Sequence, residues 1–571
     1  MPYDTSSIEG RARAEDLMRR HGEMETERAN WDNLWERIAE VIFPRAQFFT
    51  SKTLTQGDLR AERVFDNTPT LALDRFASAV GSMLVPETMQ WHGLKVSDPA
   101  LEEDEEVKEY LELAARFLFQ ARYAPRTNFS SQAHECWLSN GAFGTSAMFI
   151  DEQMGSSLRY RALHLSEVYI GENHQGLIDR VHRGKFELKA YQVEQLANHP
   201  DESKRWVMPE CVRKVMGGPN PKPNASFEFI HCVYPNEEWN PRFADYRGMD
   251  FASTYVCVQD RCITNQSGYR TMPYAVGRYV TGPREIYGRS PAMTVFRDIL
   301  MLNEMNKTVI RAGQQYVDPP WLLTDEGALS PFSMQSRALN YGYLSEDGKP
   351  LAQALRPEGE MAIGIDLIQD RRQAVNDAFL VTLFQILVEN PDMTATQALL
   401  RAQEKGQLLG PTLGRQQSEF LSVIIERELD ILSAAGVLPP PPEQLLEAQG
   451  GIAIEFRSPL NRLMRADDAM GILKTYEALS PLATIDPTVL DVLDIQKGAR
   501  IIAEASGAPA DTLRTADEIA SIRAEQKQQA DIKQLVEAAP QLGKTARDLA
   551  QVQATTQNAP AAIPYVQPAG M

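Results

Sequence analysis

The chain has 571 residues, 43% hydrophobic and 24% charged, which is ordinary globular usage and excludes a wholly disordered, collagen-like or coiled-coil-only polymer. At about 150 residues per domain, that length allows three or four domains or one large multipart subunit. Against 77 Asp and Glu stand 58 Lys and Arg, and the net charge of -19 argues against a surface that grips phosphates tightly, while leaving room for a polyanion that slides past without sticking.

Positions Leu17, Met24, Trp31, Trp35, Ile38 and Ile42 predict one long amphipathic helix over residues 17–42, its apolar face interrupted by His21 and Arg28, and its end set by Pro44. A second helix, over 68–84, is announced by Thr68 as N-cap and Pro69 in the first turn. The acidic run LEEDEEVKEY opens a third, where carboxylates suit the positive end of the helix dipole better than a metal. After a helix over 129–140, the segment GAFGTSAMFIDE changes from the helical to the strand period. The β-like runs LRYRALHL, EVYIGE, LIDRVHRGKFEL, FEFIHCVYP, ASTYVCV and YAVGRYV then extend to about Gly288, with a short helix over 188–197 between them.

Two helices, over 291–315 and 366–390, flank an irregular insert rich in Gly and Pro, and at 1.5 Å per residue each would be roughly 37 Å long. In the first, Val295, Ile299, Leu302, Met305 and Val309 form one stripe and Arg297, Glu304 and Arg311 another; in the second, Val375, Phe379, Leu383 and Ile386 repeat the apolar pattern. A helix over 394–407, a break at LLGP, a long helix over 413–435 ending at Gly436 and a small strand in GIAIEFRSPL follow. From Ala516 the composition shifts to Ala, Gln and Glu, which predicts a peripheral helical extension with a loose end. The N-terminal residues have no apolar signal core, and the most apolar helix, over 378–388, is far short of the roughly 20 residues a bilayer needs, so neither export nor a membrane span is expected.

The usual enzyme constellations are missing. There is no G-x-x-x-x-G-K-[ST] and no H-E-x-x-H, and no cofactor or metal is expected. His174 and His182, with Glu172 and Asp179 nearby, sketch a metal or general-base site, but solvent-exposed turn residues explain them more simply. The five cysteines, Cys136, Cys211, Cys232, Cys257 and Cys262, are odd in number and form no C-x-x-C pair, which indicates neither a disulfide framework nor a zinc knuckle and fits a reducing compartment. Cys257 and Cys262 flank a hairpin and read as small buried hydrophobes. Trp31 and Trp35, at helical spacing, read as core rather than base-stacking residues. One basic cluster remains: Arg401, Lys405 and Arg415 flank the break over 407–411, and in isolation they read as a solvated face.

Seven segments, in order, give that cluster a context: SMLVPETMQWHGL, GAFGTSAMFIDE, LHLSEVYIGENHQGLIDRVHR, IHCVYPNEEWN, EIYGRSPAMTVFRDILMLNEMNK, VDPPWLL and MTATQALLRAQEKGQLLGPTLGRQQSEFL. Together they resemble the head-to-tail connector, or portal, proteins of short-tailed, T7-like bacteriophages. Gln397 stands where similar proteins carry an acidic residue, and nothing beyond Ala516 contributes to the resemblance.

The resemblance implies a mainly helical α+β portal fold with wing, stem, clip and crown regions, assembled as a homododecamer at one capsid vertex of the virion. It implies an N-terminal helical and mixed α/β wing over 1–288, a first stem helix over 289–315, a clip insert over 316–365 and a second stem helix over 366–391. A tunnel-loop region and long wing helix over 392–445, a wing or crown segment over 446–515 and a crown or barrel extension over 516–571 complete it. The implied protein is not an enzyme. It is a channel for genome packaging and for ejection through the host cell envelope, assembled in the host cytoplasm, with double-stranded DNA as sequence-independent cargo. Its implied partners are terminase, then tail adaptor and nozzle proteins, with major capsid and scaffolding proteins around it and no membrane. Arg401, Lys405 and Arg415 are the candidate contacts to DNA in the channel. A helical scaffold or minor capsid protein, and a nuclease or terminase subunit, are the rival readings. The β-rich middle and Pro-rich insert count against the first, and the lack of clustered carboxylates for two metals counts against the second.

Overall fold

The computed structural model describes residues 8–45, 48–50, 64–96, 98, 104–153, 157–201, 204–243, 245–323, positions between 333 and 355, 361–382, 410, 412–447, 451–458, 471–479 and four isolated later positions. The chain divides into two units, Met1–Arg465 and Ala466–Met571. In the second, the described structure is mainly a helix over 471–479.

Helix α1, Ile8–Val41, starts nine residues earlier than the periodicity predicts, because its first turns bury Ala14 and Leu17. The two polar interruptions on its apolar face are both buried. Arg28 donates from Nη1 to the carbonyls of Leu165 (2.9 Å) and Val168 (2.6 Å) and from Nη2 to that of Ser166 (3.1 Å), and it pairs with Asp32 one turn on. Its guanidinium lies 3.6 Å from the centre of the Tyr169 ring, so the charge enters the core paired with Asp32, with both Nη groups hydrogen-bonded. His21 stacks on His182 and meets Tyr169 edge-on, and burial pushes their pKa values down to about 4 and about 3.

Helix α2, Thr68–Leu84, is capped one residue earlier than expected, at Asn67, with the Asp66 carboxylate accepting the Thr68 N–H at 2.7 Å. Strand β1, His92–Val96, was not foreseen. Helix α3, Glu105–Arg122, begins at Asp104, whose carboxylate accepts the N–H groups of Glu106 (3.0 Å) and Val107 (3.4 Å), so the acidic run includes a helix cap, as expected. Helix α4, Phe129–Phe143, ends on Gly144 at φ 77°, where a Cβ would collide with the Gly288 carbonyl; a Cβ on Gly288 would collide with that of Gly144. Neither position admits a side chain.

Next come β2 (Thr145–Gln153), β3 (Ser157–Leu163), β4 (Val168–Glu172), β5 (Ile178–Lys189), α5 (Ala190–Ala197), α6 (Glu210–Met216), β6 (Ser226–Pro235), β7 (Phe251–Cys257), β8 (Cys262–Tyr269) and β9 (Tyr274–Arg278). They form an antiparallel sheet of five strands ordered β4-β5-β6-β7-β8 and another of three ordered β3-β2-β9. The apolar run of β6 is continuous because both faces are covered: Phe227 and Phe229 pack under α5, α6 and Trp206, while Ile230, Cys232 and Tyr234 pack against the start of α1. The far half of α1 joins α2, α3, α4 and the three-stranded sheet in the main core.

A helical turn, Pro291–Thr294, capped by the Ser290 hydroxyl, precedes α7, Phe296–Val317. The expected single helix is therefore interrupted at Val295 (φ -106°, ψ 16°), after which Phe296, Ile299 and Leu302 face the core. Strands β10 (Trp321–Leu323) and β11 (Ala352–Ala354) pair within the insert. Helix α8, Met361–Ala378, begins five residues before the expected start and gives way to a turn at Phe379 and Leu380, where Leu380 adopts φ 59°. Residues 383–390 of that expected helix, and the helix over 394–407, lie outside the described residues. The last long helix is α-helical over 412–415, passes through a π turn, Gln416–Leu421, continues as α9, Ser422–Ala434, and terminates at Gly436 (φ 66°). Strand β12, Ile452–Phe456, then pairs antiparallel with β1, His92 opposite Phe456. The fold is mainly helical α+β, as expected.

Helices α3 and α9 meet at a fully buried ion pair. Arg122 donates from Nε to Glu428 Oε1 at 2.9 Å and from Nη2 to Oε2 at 2.5 Å, while the Tyr160 hydroxyl donates to Oε1 at 2.5 Å. Burial alone would lower the Arg122 pKa, but the charge and hydrogen bonds of Glu428, with Tyr160 and Tyr123, together outweigh it and the net shift is upward.

Candidate functional site

The described member of the basic cluster, Arg415, stands at the entrance to the π turn. Its Nη1 donates to Glu419 Oε1 at 2.9 Å, one turn away along the same helix. Glu419 is shared: Arg278, the last residue of β9, donates to it from Nε and from Nη2, both at 2.9 Å. Arg278 also pairs with Glu172 of β4 and reaches the carbonyls of Ile286 (3.1 Å) and Gly176 (3.3 Å), while its own carbonyl accepts Gln416 Nε2 at 2.7 Å. Burial lowers the Arg278 pKa, but the hydrogen bonds and charges of Glu419 and Glu172 raise it further, leaving a net increase. One carboxylate thus serves two arginines, and any phosphate approaching Arg415, whose side chain is 36% exposed, competes with Glu419.

Arg401 and Lys405 lie outside the described residues. Sequence reasoning missed Arg278 and Glu419, because nothing local relates a strand end to a turn 141 residues later. His182, expected on an exposed turn, is instead fully buried against α1, and Glu172 is occupied by Arg278, so the sketched histidine–carboxylate site does not form. Trp35 is core, as expected, its indole N–H donating to the Phe143 carbonyl at 3.0 Å.

The other feature is the α7–α8 hairpin. Its base is tied down by Arg371 Nη1 to Asp298 (2.8 Å), Arg372 Nη2 to Asp66 (2.9 Å), and Asn303 Oδ1 accepting the Phe65 N–H (2.7 Å). The antiparallel run is shown by Gly364, a Cβ on which would stand 3.6 Å from the Val309 side chain. Farther out the apolar stripe loses its cover. Ile310, Tyr316 and Val317 of α7, all three residues of β10, and Ile365 and Leu367 of α8 are exposed, Val317 at 86%. Half of the exposed large apolar side chains among the described residues fall between 301 and 367. The expected polar stripe, Arg297, Glu304 and Arg311, is exposed too.

Among the described residues no helix is long and apolar enough to cross a membrane. The ionisable groups displaced furthest have packing partners: His231, for example, contacts the Tyr274 hydroxyl and Ser253 Oγ and stacks on Tyr255.

A family model of bacteriophage head to tail connecting proteins matches residues 14–513. The chain is 27% identical over 551 residues to a protein of Bordetella phage BPP-1 described as "Probable portal protein", covering 95% of this chain and 96% of that one. It is 23% identical over 566 residues to the "Portal protein" of Salmonella phage epsilon15, covering 96% and 97%.

Proposed function

We infer the role of this chain from the family to which it belongs, the bacteriophage head to tail connecting proteins. It is a portal subunit, a structural part of the virion that joins head to tail, and not an enzyme. The finer reading is a closed ring, a homododecamer at the portal vertex, with α7 and α8 as its stem and the β10–β11 insert as its clip.

The observation that carries the reading is the hairpin's uncovered apolar surface. A lone subunit would leave those side chains in water, whereas closed rotational symmetry places the same strip against a neighbour at every contact. The acidic excess, net charge -19, suits a wall along which DNA moves without being trapped by counterion release. Terminase and later tail adaptor and nozzle proteins would dock on the clip, with scaffolding and major capsid proteins around the wing. Arg401, Lys405 and Arg415 would touch the DNA backbone without sequence preference.

Particle mass and symmetry test the ring. Imaging of purified protein should show rings with a central hole, and Leu322→Glu with Trp321→Ser should shift the population towards folded monomers. A chain that stays monomeric at every concentration and salt would refute it. For the DNA contacts, Lys405→Ala virions should fill normally and then leak; normal retention removes that role.

A further inference from the structure

The sequence separates the cysteines, but the fold brings three of them together. Cys257 closes β7 and Cys262 opens β8, and the two are cross-strand partners on the last rung of the hairpin. Asp260 sits in the connecting turn, next to Arg261 at φ 49°. Cys211 arrives from α6, its sulfur 3.8 Å from that of Cys257 and its backbone N–H donating to Asp260 Oδ2 at 2.8 Å. One donor atom from each of Cys211, Cys257 and Asp260 lies within 4.8 Å of the other two. Cys262 shares a thiol hydrogen bond with Cys257.

The sulfur–sulfur separation is the one that two thiolates on a tetrahedral soft divalent ion adopt. Two zinc–sulfur bonds of about 2.3 Å at the tetrahedral angle put the sulfurs about 3.8 Å apart, and a carboxylate oxygen at about 2.0 Å from zinc falls about 3.5 Å from each sulfur. A disulfide would need about 2.05 Å between the sulfurs. Thiolate donors favour zinc over magnesium or calcium.

We propose that Cys211, Cys257 and Asp260, with Cys262 as fourth donor after rotation of its side chain, bind one Zn²⁺ ion per chain. Binding converts each coordinating thiol to a thiolate and releases its proton to solvent, with no change of oxidation state. The half-exposed Cys211 and Asp260 give the ion a way in. The ion staples α6 to the hairpin beside the separate core of Trp206, Val212 and Phe229.

The test uses the full-length chain, purified with a non-chelating phosphine reductant, stripped with EDTA and titrated with Co²⁺, then Zn²⁺. One Co²⁺ per chain should bind, with thiolate-to-metal charge-transfer absorption and intense tetrahedral bands, and Zn²⁺ should displace it. Cys211→Ser or Cys257→Ser should weaken binding by more than the 10- to 100-fold typical of an outer-sphere change. Cys136→Ala and Cys232→Ala, which alter buried cysteines elsewhere, should not. Should either serine variant fail to fold, Asp260→Asn in the turn and the Zn²⁺-dependent rise in melting temperature of the unmodified chain decide instead. Absent binding, a cobalt spectrum without thiolate bands, undiminished binding in the variants, or a Cys211–Cys257 disulfide in protein taken from a reducing cytoplasm would each overturn the site.

Discussion

Replacing Glu428 by Gln removes one charge of the buried Arg122–Glu428 pair while keeping its shape. Both side chains have no exposed surface, so the orphaned guanidinium cannot recover solvation by turning outward. Breaking such a pair costs about 3–5 kcal/mol. Gln keeps one acceptor for Arg122, and the Trp91 ring 4.4 Å from the guanidinium softens the charge, which puts the expected cost near the lower end, about 3 kcal/mol. A local readout isolates the effect: amide exchange in α3 and α9 should accelerate roughly 100-fold, at 1.36 kcal/mol per factor of ten. Arg122→Met with Glu428→Leu removes both charges and should recover most of the protection. An acceleration below threefold in Glu428→Gln, or a double variant no better than the single, would refute the idea that an uncompensated buried charge is what destabilises.

Three further outcomes follow from the same core. His21 and His182 are held neutral by burial, and Arg28 and Lys185 beside the first and Arg180 and Arg20 beside the second disfavour their protonation further, against the opposing charge of Glu25. Because the unfolded chain takes up protons near pH 6.5 and the folded chain only near 4 and 3, this stability is complete above about 6.5 and is lost as pH falls through that window, by up to about 3 kcal/mol for His21. Melting temperature should therefore fall from pH 6.5 to 4, less steeply in His21→Phe; an unchanged slope contradicts the assignment. Gly144→Ala should cost more than the roughly 1–2 kcal/mol of a left-handed residue, since its Cβ also meets the Gly288 carbonyl, and a melting temperature equal to the parent's would refute the close approach. Arg278→Lys should lower stability by about 2 kcal/mol despite keeping the charge, because an ammonium cannot hold Glu419 with two parallel bonds and still reach Glu172; full thermal stability in the variant would show that the fork geometry is immaterial.

The elements that sequence made legible are those whose neighbours lie close in the chain or whose faces alternate cleanly. Strand β6 emerges from its unbroken apolar run between turns, helix α2 from Pro69 in its first turn, and Asp104 from the chemistry of a helix start. Strand β1 has no such signal: its five residues are a strand because β12 lies alongside, more than 350 residues later. His21 and Arg28 looked like flaws in an apolar stripe because their partners, His182 and the carbonyls near Leu165, come from elsewhere in the fold. The shared carboxylate of Glu419 and the meeting of Cys211 with Cys257 were illegible for the same reason. The resemblance to connector proteins supplied the functional class, but the ties around Arg415 and the exposed edge of β10 required coordinates.

Helix α1 spans 34 residues, about 50 Å of continuous hydrogen-bonded backbone, with its first turns embedded in the five-strand module and its last in the main core. It works as a tie-rod. Those two bodies cannot swing about a joint without snapping backbone bonds in mid-helix, so a pull applied to one is delivered to the other along a stiff axis. A subunit braced in this way takes up load by shifting as one piece, and whatever bending an assembly requires must be found at seams outside that beam.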